Sequence, residues 1–171
     1  MNQEKIRNIT FVALFVAIIS VVSQIAIPTT STVPITIQIF VIAFTGYFLG
    51  PKRGIIAIFL YIMLGALGAP VFAGFKGGFY ALLGPSGGFV WGFIIIVIFC
   101  AIFAKTRLAI PAGIIGTIIC HILGAFQYSF VAGVDFFASF LLVSLPYLLK
   151  DIILLPLAYL LYKKLKRIIK E

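Results

Sequence analysis

Residues 68–88 read GAPVFAGFKGGFYALLGPSGG and separate two intensely apolar parts of the chain. The stretch is too apolar for an ordinary solvated loop, and its glycines and prolines are too frequent for a continuous helix. Backbone outside helices is tolerated at membrane depth only where protein buries it or where it lines a cavity. We therefore expect a re-entrant outer loop that folds back into a helical bundle. A flexible outer loop, in which glycine serves packing alone, is the alternative.

The composition is that of an integral membrane protein. Hydrophobic residues make up 63% of the 171 positions, only 10% are charged, and the mean hydropathy is +1.26. This exceeds what a soluble core of this size can hide. A net charge of +9 could suggest nucleic acid, but many basic residues flank or end apolar runs. That placement favours a cytoplasmic membrane face and no nucleic-acid partner; the residues are Lys150, Lys163, Lys164, Lys166, Arg167 and Lys170.

Apolar runs bounded by glycine, proline or charge predict an all-α protein with six transmembrane helices. The second and third are shorter than the roughly 20 residues that a bilayer normally requires, so we expect them to stop inside the protein. Proline suits the first helical position, and the last helix is therefore placed from Pro146, with 135–145 as a separate short helix. The six predicted helices are 9–27, 36–49, 54–67, 89–104, 110–128 and 146 to about 167.

Basic residues also predict the orientation, because short cytoplasmic loops are enriched in lysine and arginine. In a six-span topology every basic group except Lys76 and Lys150 falls on one side, which we assign to the cytoplasm together with both termini. These groups are Lys5 and Arg7, Lys52 and Arg53, Lys105 and Arg107, and the C-terminal cluster. The outer side receives residues 28–35, the glycine-rich stretch with Lys76, and the region around Asp135. The predicted location is the cell membrane, which the chain crosses several times.

The glycine-rich stretch also carries a family resemblance. Residues 64–93, LGALGAPVFAGFKGGFYALLGPSGGFVWGF, resemble the signature region of the biotin-specific substrate-binding subunits (S components, the BioY family) of energy-coupling-factor (ECF) transporters. That pattern runs approximately LGxxGLPVFAGxxGGxxxLxGPTGGYxxGF. Similar segments are PITIQ (34–38), GPKRG (50–54) and LPYLLKDIILLPLA (145–158). The resemblance spans the whole chain, and it implies the S-component fold with one transmembrane substrate-binding domain over residues 1–171.

The sequence departs from that family pattern in several places. Ser86 and Phe89 replace the usual threonine and tyrosine, which are mild changes. Lys150 stands where the family commonly has glycine, and Leu154 where it commonly has lysine. Because that lysine is missing, its contact with the aspartate or the ligand is not carried over to this chain.

Biotin, the ligand that the resemblance implies, has a ureido ring with two N–H donors, an apolar thiophane ring and a carboxylate tail. We expect Asp151 to accept the ureido N–H groups, because an ionisable residue on an intramembrane helix is a functional candidate and a carboxylate makes strong hydrogen bonds. The alternative is an internal pair with Lys76 or another buried cation. Lys150 is not expected to be that cation, because adjacent helix positions point about 100° apart.

Further candidate contacts lie near the outer helix ends. Lys76 either pairs with the ligand carboxylate, which we favour, or is an exposed cation of the outer loop. Gln38 either contacts the ureido carbonyl or ties down the first outer loop. Aromatic side chains could wall the thiophane ring, although at this depth they more often serve as anchors or core. The selected loop residues are Phe75, Gly77, Gly78 and Tyr80; Gln127 and Tyr128 are weaker candidates.

A small-residue pattern on the first helix concerns a partner. Ala13 and Ala17 leave a groove that lets another helix approach closely, and internal packing is the commoner use of such a groove. The resemblance favours docking instead, because S components carry this pattern for the transmembrane T component. The chain has no Walker A sequence, so the energy is expected to come from two partner ATPase subunits.

The predicted function is capture of biotin at the outer face and its movement inward with the T component and the ATPases. We expect no covalent chemistry, no cofactor and no metal. Cys100 and Cys120 are interpreted as buried hydrophobes, and His121 as a hydrogen-bonded packing residue. The alternatives are an S component for a different vitamin and a small intramembrane enzyme using Asp151 and His121.

Overall fold

The computed structural model describes residues 2–29 and 33–170, most of which are helical. In chain order the elements are α1 (Gln3–Val22), β1 (Ala26–Ile27), β2 (Ile35–Thr36), α2 (Gln38–Ala66), α3 (Phe79–Leu83), α4 (Gly87–Phe103), α5 (Ala109–Ala132), α6 (Phe136–Val143) and α7 (Leu145–Lys170). Within these residues α1, α2, α5 and α7 are long and apolar enough to cross a membrane, and α4 is a shorter apolar helix. The prediction of a mainly helical membrane protein is confirmed at this level.

Helix α2 takes the place of the predicted second and third helices and folds back on itself. Gly50 has φ 74° and ψ −177°, outside the helical region, and Pro51 follows it. In a straight helix Gln38 and Tyr61 would lie about 35 Å apart, but Gln38 Nε2 donates to the Tyr61 hydroxyl at 2.8 Å. The two limbs, residues 38–49 and 51–66, therefore lie side by side. Glycine suits the turn because it adopts positive φ without steric cost.

A short antiparallel ladder joins α1 to α2, where the sequence predicted the ends of two helices and an outer loop between them. Ala26 pairs with Thr36, and Ile27 pairs with Ile35. Helix α1 accordingly ends at Val22, several residues before the predicted end. Pro28 disfavours helix in the residue before it, and isoleucine is enriched in strands.

The region after α5 follows the prediction closely. The Asp135 carboxylate caps α6 by accepting from the backbone N–H groups of Phe137 at 2.8 Å and Ala138 at 3.2 Å. Helix α7 begins at Leu145, one residue before the predicted start at Pro146. The separate short helix is confirmed, and the Asp135 cap explains why it begins at Phe136.

Small residues let the central helices approach closely. A Cβ atom at Gly92 of α4 would lie 2.7 Å from Cα of Cys120 on α5. One at Gly46 of α2 would lie 2.8 Å from the carbonyl oxygen of Val97 on α4. Glycine contacts of this kind are typical of membrane helix interfaces. The buried core that they enclose joins α1, α2, α4, α5 and α7.

The glycine-rich stretch packs on the second limb of α2. Phe72 is buried and meets the Tyr61 ring edge-on at 5.5 Å between centroids. A Cβ atom at Gly65 would lie 2.1 Å from the Phe72 ring, so glycine makes room for it. The Gly78 N–H donates to the Gly65 carbonyl at 2.7 Å, and the Phe72 N–H donates to the Lys76 carbonyl at 3.0 Å. The stretch is therefore joined to α2 by both packing and backbone hydrogen bonds.

Two glutamine side chains also hold this stretch. Gln24, just after α1, accepts from the Phe75 N–H at 2.8 Å and donates to the Val71 carbonyl at 3.1 Å. Gln127 on α5 donates to the carbonyls of Leu82 and Gly84, both at 2.8 Å. Because buried polar backbone groups need hydrogen-bond partners, these contacts satisfy carbonyl and amide groups that have no partner within a helix.

Candidate ligand-binding site

A cavity lies where α2, the glycine-rich stretch, α4, α5 and the start of α7 meet. Its walls are mostly apolar, with a few convergent polar groups, which is the usual character of small-molecule sites. Its volume is about 80 Å³, below the roughly 300–1,000 Å³ typical of such sites. Aromatic side chains supply much of the wall: Tyr61, Phe72, Phe89, Phe93 and Tyr147.

Asp151 on α7 is the carboxylate of this cavity and is only 3% exposed. Its Oδ2 lies 3.2 Å from His121 Nε2, and its Oδ1 accepts from Lys150 Nζ at 2.5 Å. Lys150 also donates to the backbone carbonyl of Thr36. A carboxylate has about four lone-pair sites, so each oxygen keeps a site free for a ligand donor.

The contact between Lys150 and Asp151 corrects the sequence interpretation, which set Lys150 aside as a partner. Neighbouring Cβ atoms on a helix do point in different directions, but the flexible four-carbon stem of lysine brings Nζ back to the carboxylate. The internal pair left open as an alternative for Asp151 is thus present, with Lys150 as its cation. Within residues 2–29 and 33–170, Lys76 forms no ion pair.

His121 on α5 is a site residue that the sequence analysis assigned to packing. It is 1% exposed, and the Phe89 ring meets it edge-on at 5.5 Å. The Ser144 hydroxyl donates to its backbone carbonyl at 3.0 Å. Its Nδ1 has no hydrogen-bond partner among the described residues. His121 and Asp151 are 30 positions apart, so no local motif could have signalled their contact.

Gln38 lines the cavity at the start of α2. Its Nε2 donates to the Tyr61 hydroxyl, which also lies 3.0 Å from the Ser23 hydroxyl and 3.2 Å from the Val71 carbonyl. In the described chain its Oε1 accepts no hydrogen bond, so this acceptor is available to a ligand. The network fixes the amide in the wall of the cavity.

Lys76 lines the cavity from the glycine-rich stretch, but its selected neighbours do not. Phe75 and Tyr80 are 70% and 83% exposed. Gly77 and Gly78 shape the turn instead: a Cβ at Gly77 would lie 2.4 Å from the Ala69 carbonyl oxygen, and Gly78 has φ 89°. An irregular segment has no periodicity that would reveal which aromatic side chains face inward.

The charges of the cavity favour an anionic ligand group. Lys76 and Lys150 supply two positive charges and Asp151 supplies one negative charge. Among the described lining residues the balance is therefore positive by one charge. A ligand carboxylate would neutralise it, and Lys76 is accessible to such a group because its side chain is exposed.

Ala13 and Ala17 are exposed on α1. The buried residues of that helix occupy the opposite face: Val12, Phe15, Val16 and Ile19. The small-residue groove therefore faces away from the core of this chain. Internal packing, the commoner use of such a pattern, does not account for it here.

Comparison with known proteins places the whole chain in one family. The model of the BioY family matches residues 1–171. The chain is 38% identical to "Probable biotin transporter BioY" of Pyrococcus horikoshii over 149 residues, which is 87% of this chain and 90% of the relative. It is 34% identical to "Biotin transporter BioY" of Thermotoga maritima over 166 residues, covering 95% and 97% of the two chains. Among solved structures, the S-component for biotin from an ECF-type ABC transporter matches with a TM-score of 0.89 at 26% identity, over 98% of this chain and 94% of that one.

Proposed function

The chain belongs to the BioY family, and we propose from that membership that it binds biotin and transports it across the membrane as an S component of an ECF-type transporter. The observation that carries the proposal is the cavity around Asp151. A buried carboxylate, aromatic walls and surplus positive charge match the three chemically different parts of biotin. The overall similarity to a solved biotin S component supports the same function.

Asp151 accepts the ureido N–H groups of biotin. Its Oδ1 and Oδ2 are already oriented by Lys150 and His121, so the acceptor sites that remain are fixed before the ligand arrives. Charge-assisted hydrogen bonds of this kind are roughly twice as strong as neutral ones. Gln38 lines the same cavity. Its Nε2 uses one hydrogen for the Tyr61 hydroxyl and donates the other to the ureido carbonyl.

Lys76 pairs with the carboxylate at the end of the biotin tail. It lines the cavity from the glycine-rich stretch, whereas Asp151 lines it from α7. The aromatic rings of the lining form an apolar wall for the thiophane ring. Phe75 and Tyr80 are left out of this contact set because they are exposed and do not line the cavity.

Ligand entry requires the cavity to widen, since its volume of about 80 Å³ is small for a bicyclic vitamin with a valeryl tail. Phe72, Ala73 and Lys76 belong to the glycine-rich stretch and form part of the wall. This re-entrant stretch is the element that moves, because apart from the short helix α3 it lacks the continuous backbone hydrogen bonding of the long helices.

The chain crosses the membrane six times, with α2 supplying two limbs and both termini in the cytoplasm. Arg53 donates to the Asn8 side chain at 3.1 Å, which brings the basic start of α1 next to the Gly50 turn. Tyr47 donates to the Ala109 carbonyl at 2.9 Å and lies 6.1 Å from the Tyr162 ring. These contacts support one shared end for the basic groups other than Lys76 and Lys150, as expected for the cytoplasmic face.

Ala13 and Ala17 dock the T component, and two ATPase subunits bound to it supply the energy. The exposure of both alanines, as seen in the described part of the chain, supports this assignment. Small residues allow helix backbones to approach within van der Waals distance, which is the main source of helix association in lipid.

Equilibrium binding tests the function. Purified, detergent-solubilised protein is titrated with biotin, with thiamine and riboflavin as competing ligands. We expect saturable, biotin-selective binding, and selectivity for another vitamin would reassign the ligand within the same fold. The His121→Ala variant distinguishes a binding protein from an intramembrane enzyme. We expect this variant to bind biotin more weakly but still measurably. A catalytic activity that the parent protein has and the variant loses would contradict the proposal.

A further inference from the structure

A second cavity lies at the other end of α7, between its last turns and the segment that joins α4 to α5. Its volume is about 700 Å³. It is separate from the ligand cavity, because Asp151 and Lys163 lie about 18 Å apart along the helix. Its polar lining comprises Thr106, two tyrosines and a set of cations: Tyr159, Tyr162, Lys105, Arg107, Lys163, Lys166 and Arg167.

These cations have no anionic partner in the part of the chain that the structure describes. Both ion pairs of residues 2–29 and 33–170 involve Asp151, at the opposite end of α7. Glu171 lies outside the described residues. Like charges that converge on one cavity repel each other, so an anion bound there gains from several of them at once.

Tyrosine side chains position two of the lysines. Lys163 Nζ lies 4.9 Å from the ring centre of Tyr159. Lys166 Nζ donates to the Tyr162 hydroxyl at 2.7 Å and lies 5.1 Å from the centre of the same ring. Contacts of this kind reduce the freedom of long lysine stems. The ammonium groups are thus partly ordered before any anion binds.

We propose that this cavity binds the phosphate-bearing headgroup of an anionic phospholipid. Basic pockets between transmembrane helices at a membrane face bind such headgroups. The lining also includes Ala104 and Ile110, and the neighbouring Ile102 and Leu108 are 57% and 56% exposed. Apolar surface beside the cations suits acyl chains, which a free phosphate ion or an acidic protein segment does not have. The proposal does not depend on the ligand of the first cavity.

Lipid titration of the full-length protein tests this site. The purified protein in detergent is titrated with short-chain phosphatidylglycerol or phosphatidylcholine, and bound lipid is counted by native mass spectrometry. We expect phosphatidylglycerol to bind preferentially and the variant Lys163→Gln/Lys166→Gln/Arg167→Gln to bind it at least about tenfold more weakly. The variant Lys105→Gln/Arg107→Gln changes the other wall, leaves α7 intact, and should weaken binding in the same direction.

A matched control removes the same charge elsewhere. The variant Lys5→Gln/Lys52→Gln/Lys164→Gln changes three cations that do not line the cavity, and it should keep phosphatidylglycerol affinity within about twofold. All variants should bind biotin as the parent protein does, which checks the fold. Equal weakening by the control would overturn the proposal, because the attraction would then be a general surface effect.

Competition identifies the source of the phosphate group. Inorganic phosphate and glycerol 3-phosphate should not displace phosphatidylglycerol at concentrations equal to that of the lipid. Displacement at such concentrations would assign the cavity to a soluble phosphate and overturn the lipid assignment. Equal binding of phosphatidylcholine and phosphatidylglycerol would also overturn it and would leave the cations available to an acidic segment of a partner protein.

Discussion

Asp151 lies buried between Lys150 and His121, and this arrangement accounts for a charge at a depth where charges are costly. Removing an ionised carboxylate from water costs several kcal/mol unless close partners compensate. Asp151 itself could be selected from the sequence, because an acidic residue on an apolar membrane helix is costly and therefore a functional candidate. Its partners could not, since one lies on another helix and the other depends on how a flexible lysine stem bends.

Replacing Asp151 by asparagine should weaken biotin binding by more than about 1.5 kcal/mol, or roughly tenfold. The amide has nearly the same shape but loses the negative charge that strengthens hydrogen bonds from the ureido group. Equilibrium binding in detergent measures the effect. Asp135→Asn is the matched control, because Asp135 caps α6 outside the cavity and should leave affinity unchanged. An unaltered affinity in Asp151→Asn would remove the ureido assignment.

Lys76→Ala should weaken biotin binding more than about tenfold without lowering the melting temperature, because Lys76 forms no ion pair in the described chain. Biotin methyl ester, which lacks the free carboxylate, distinguishes a direct contact between Lys76 and the carboxylate from indirect effects of the substitution. The substitution should cost much less affinity for the ester than for biotin. Lys52→Ala changes an exposed lysine outside the ligand cavity and serves as the control. Equal losses for both ligands would contradict a contact between Lys76 and the carboxylate, and unchanged affinity for biotin would leave Lys76 as an exposed cation of the outer loop.

At the scale of elements, the glycine-rich stretch is ordered by backbone geometry that only some residues allow. Gly78 has φ 89° and ψ 158°, a region that is essentially restricted to glycine. Its N–H group closes the stretch onto α2 through the Gly65 carbonyl. The excess of glycine in 68–88 could be recognised from sequence as a break in helix. The hydrogen bonds from Gln24 and Gln127 that order it could not, because they come from distant segments.

Gly78→Ala should destabilise the protein by about 1–3 kcal/mol, because alanine is strained at this φ and ψ. The melting temperature and the biotin affinity should both fall, since Lys76 and Phe72 lie in the same turn. Thermal unfolding in detergent, followed by binding, measures both quantities. Gly84→Ala is the control: Gly84 has φ −77°, which any residue adopts, and a smaller change is expected. Equal effects at both positions would argue against backbone strain as the cause.

At the scale of the whole molecule, the two cavities lie toward opposite ends of α7, and no described residue of α1 lines either of them. Ligand binding and partner docking should therefore be separable by substitution. The fold also explains why α2 was predicted as two helices. Its limbs are antiparallel, and the positive φ of Gly50 reverses the chain between them.

The double variant Ala13→Leu/Ala17→Leu should reduce co-purification with the T component at least about tenfold and leave biotin affinity unchanged. Leucine fills the groove and holds the partner helix away, while the ligand cavity uses no residue of α1. The amount of T component retained on tagged S component measures the effect. Ala132→Leu/Ala138→Leu changes two exposed alanines outside α1 and should retain the partner. Full retention by the α1 variant would exclude this docking face.

The sequence by itself determined that the protein lies in a membrane and is mainly helical. It also determined the position of the irregular glycine-rich stretch and the family. These properties follow from composition, local periodicity and short motifs, all of which can be evaluated along the chain. Only the tertiary structure decided that Gln38 meets Tyr61, that His121 and Lys150 share Asp151, and that Phe72 rather than Phe75 lines the cavity. These partners lie 23 to 30 residues apart, or depend on side-chain torsions, and the contacts exist only once the helices pack.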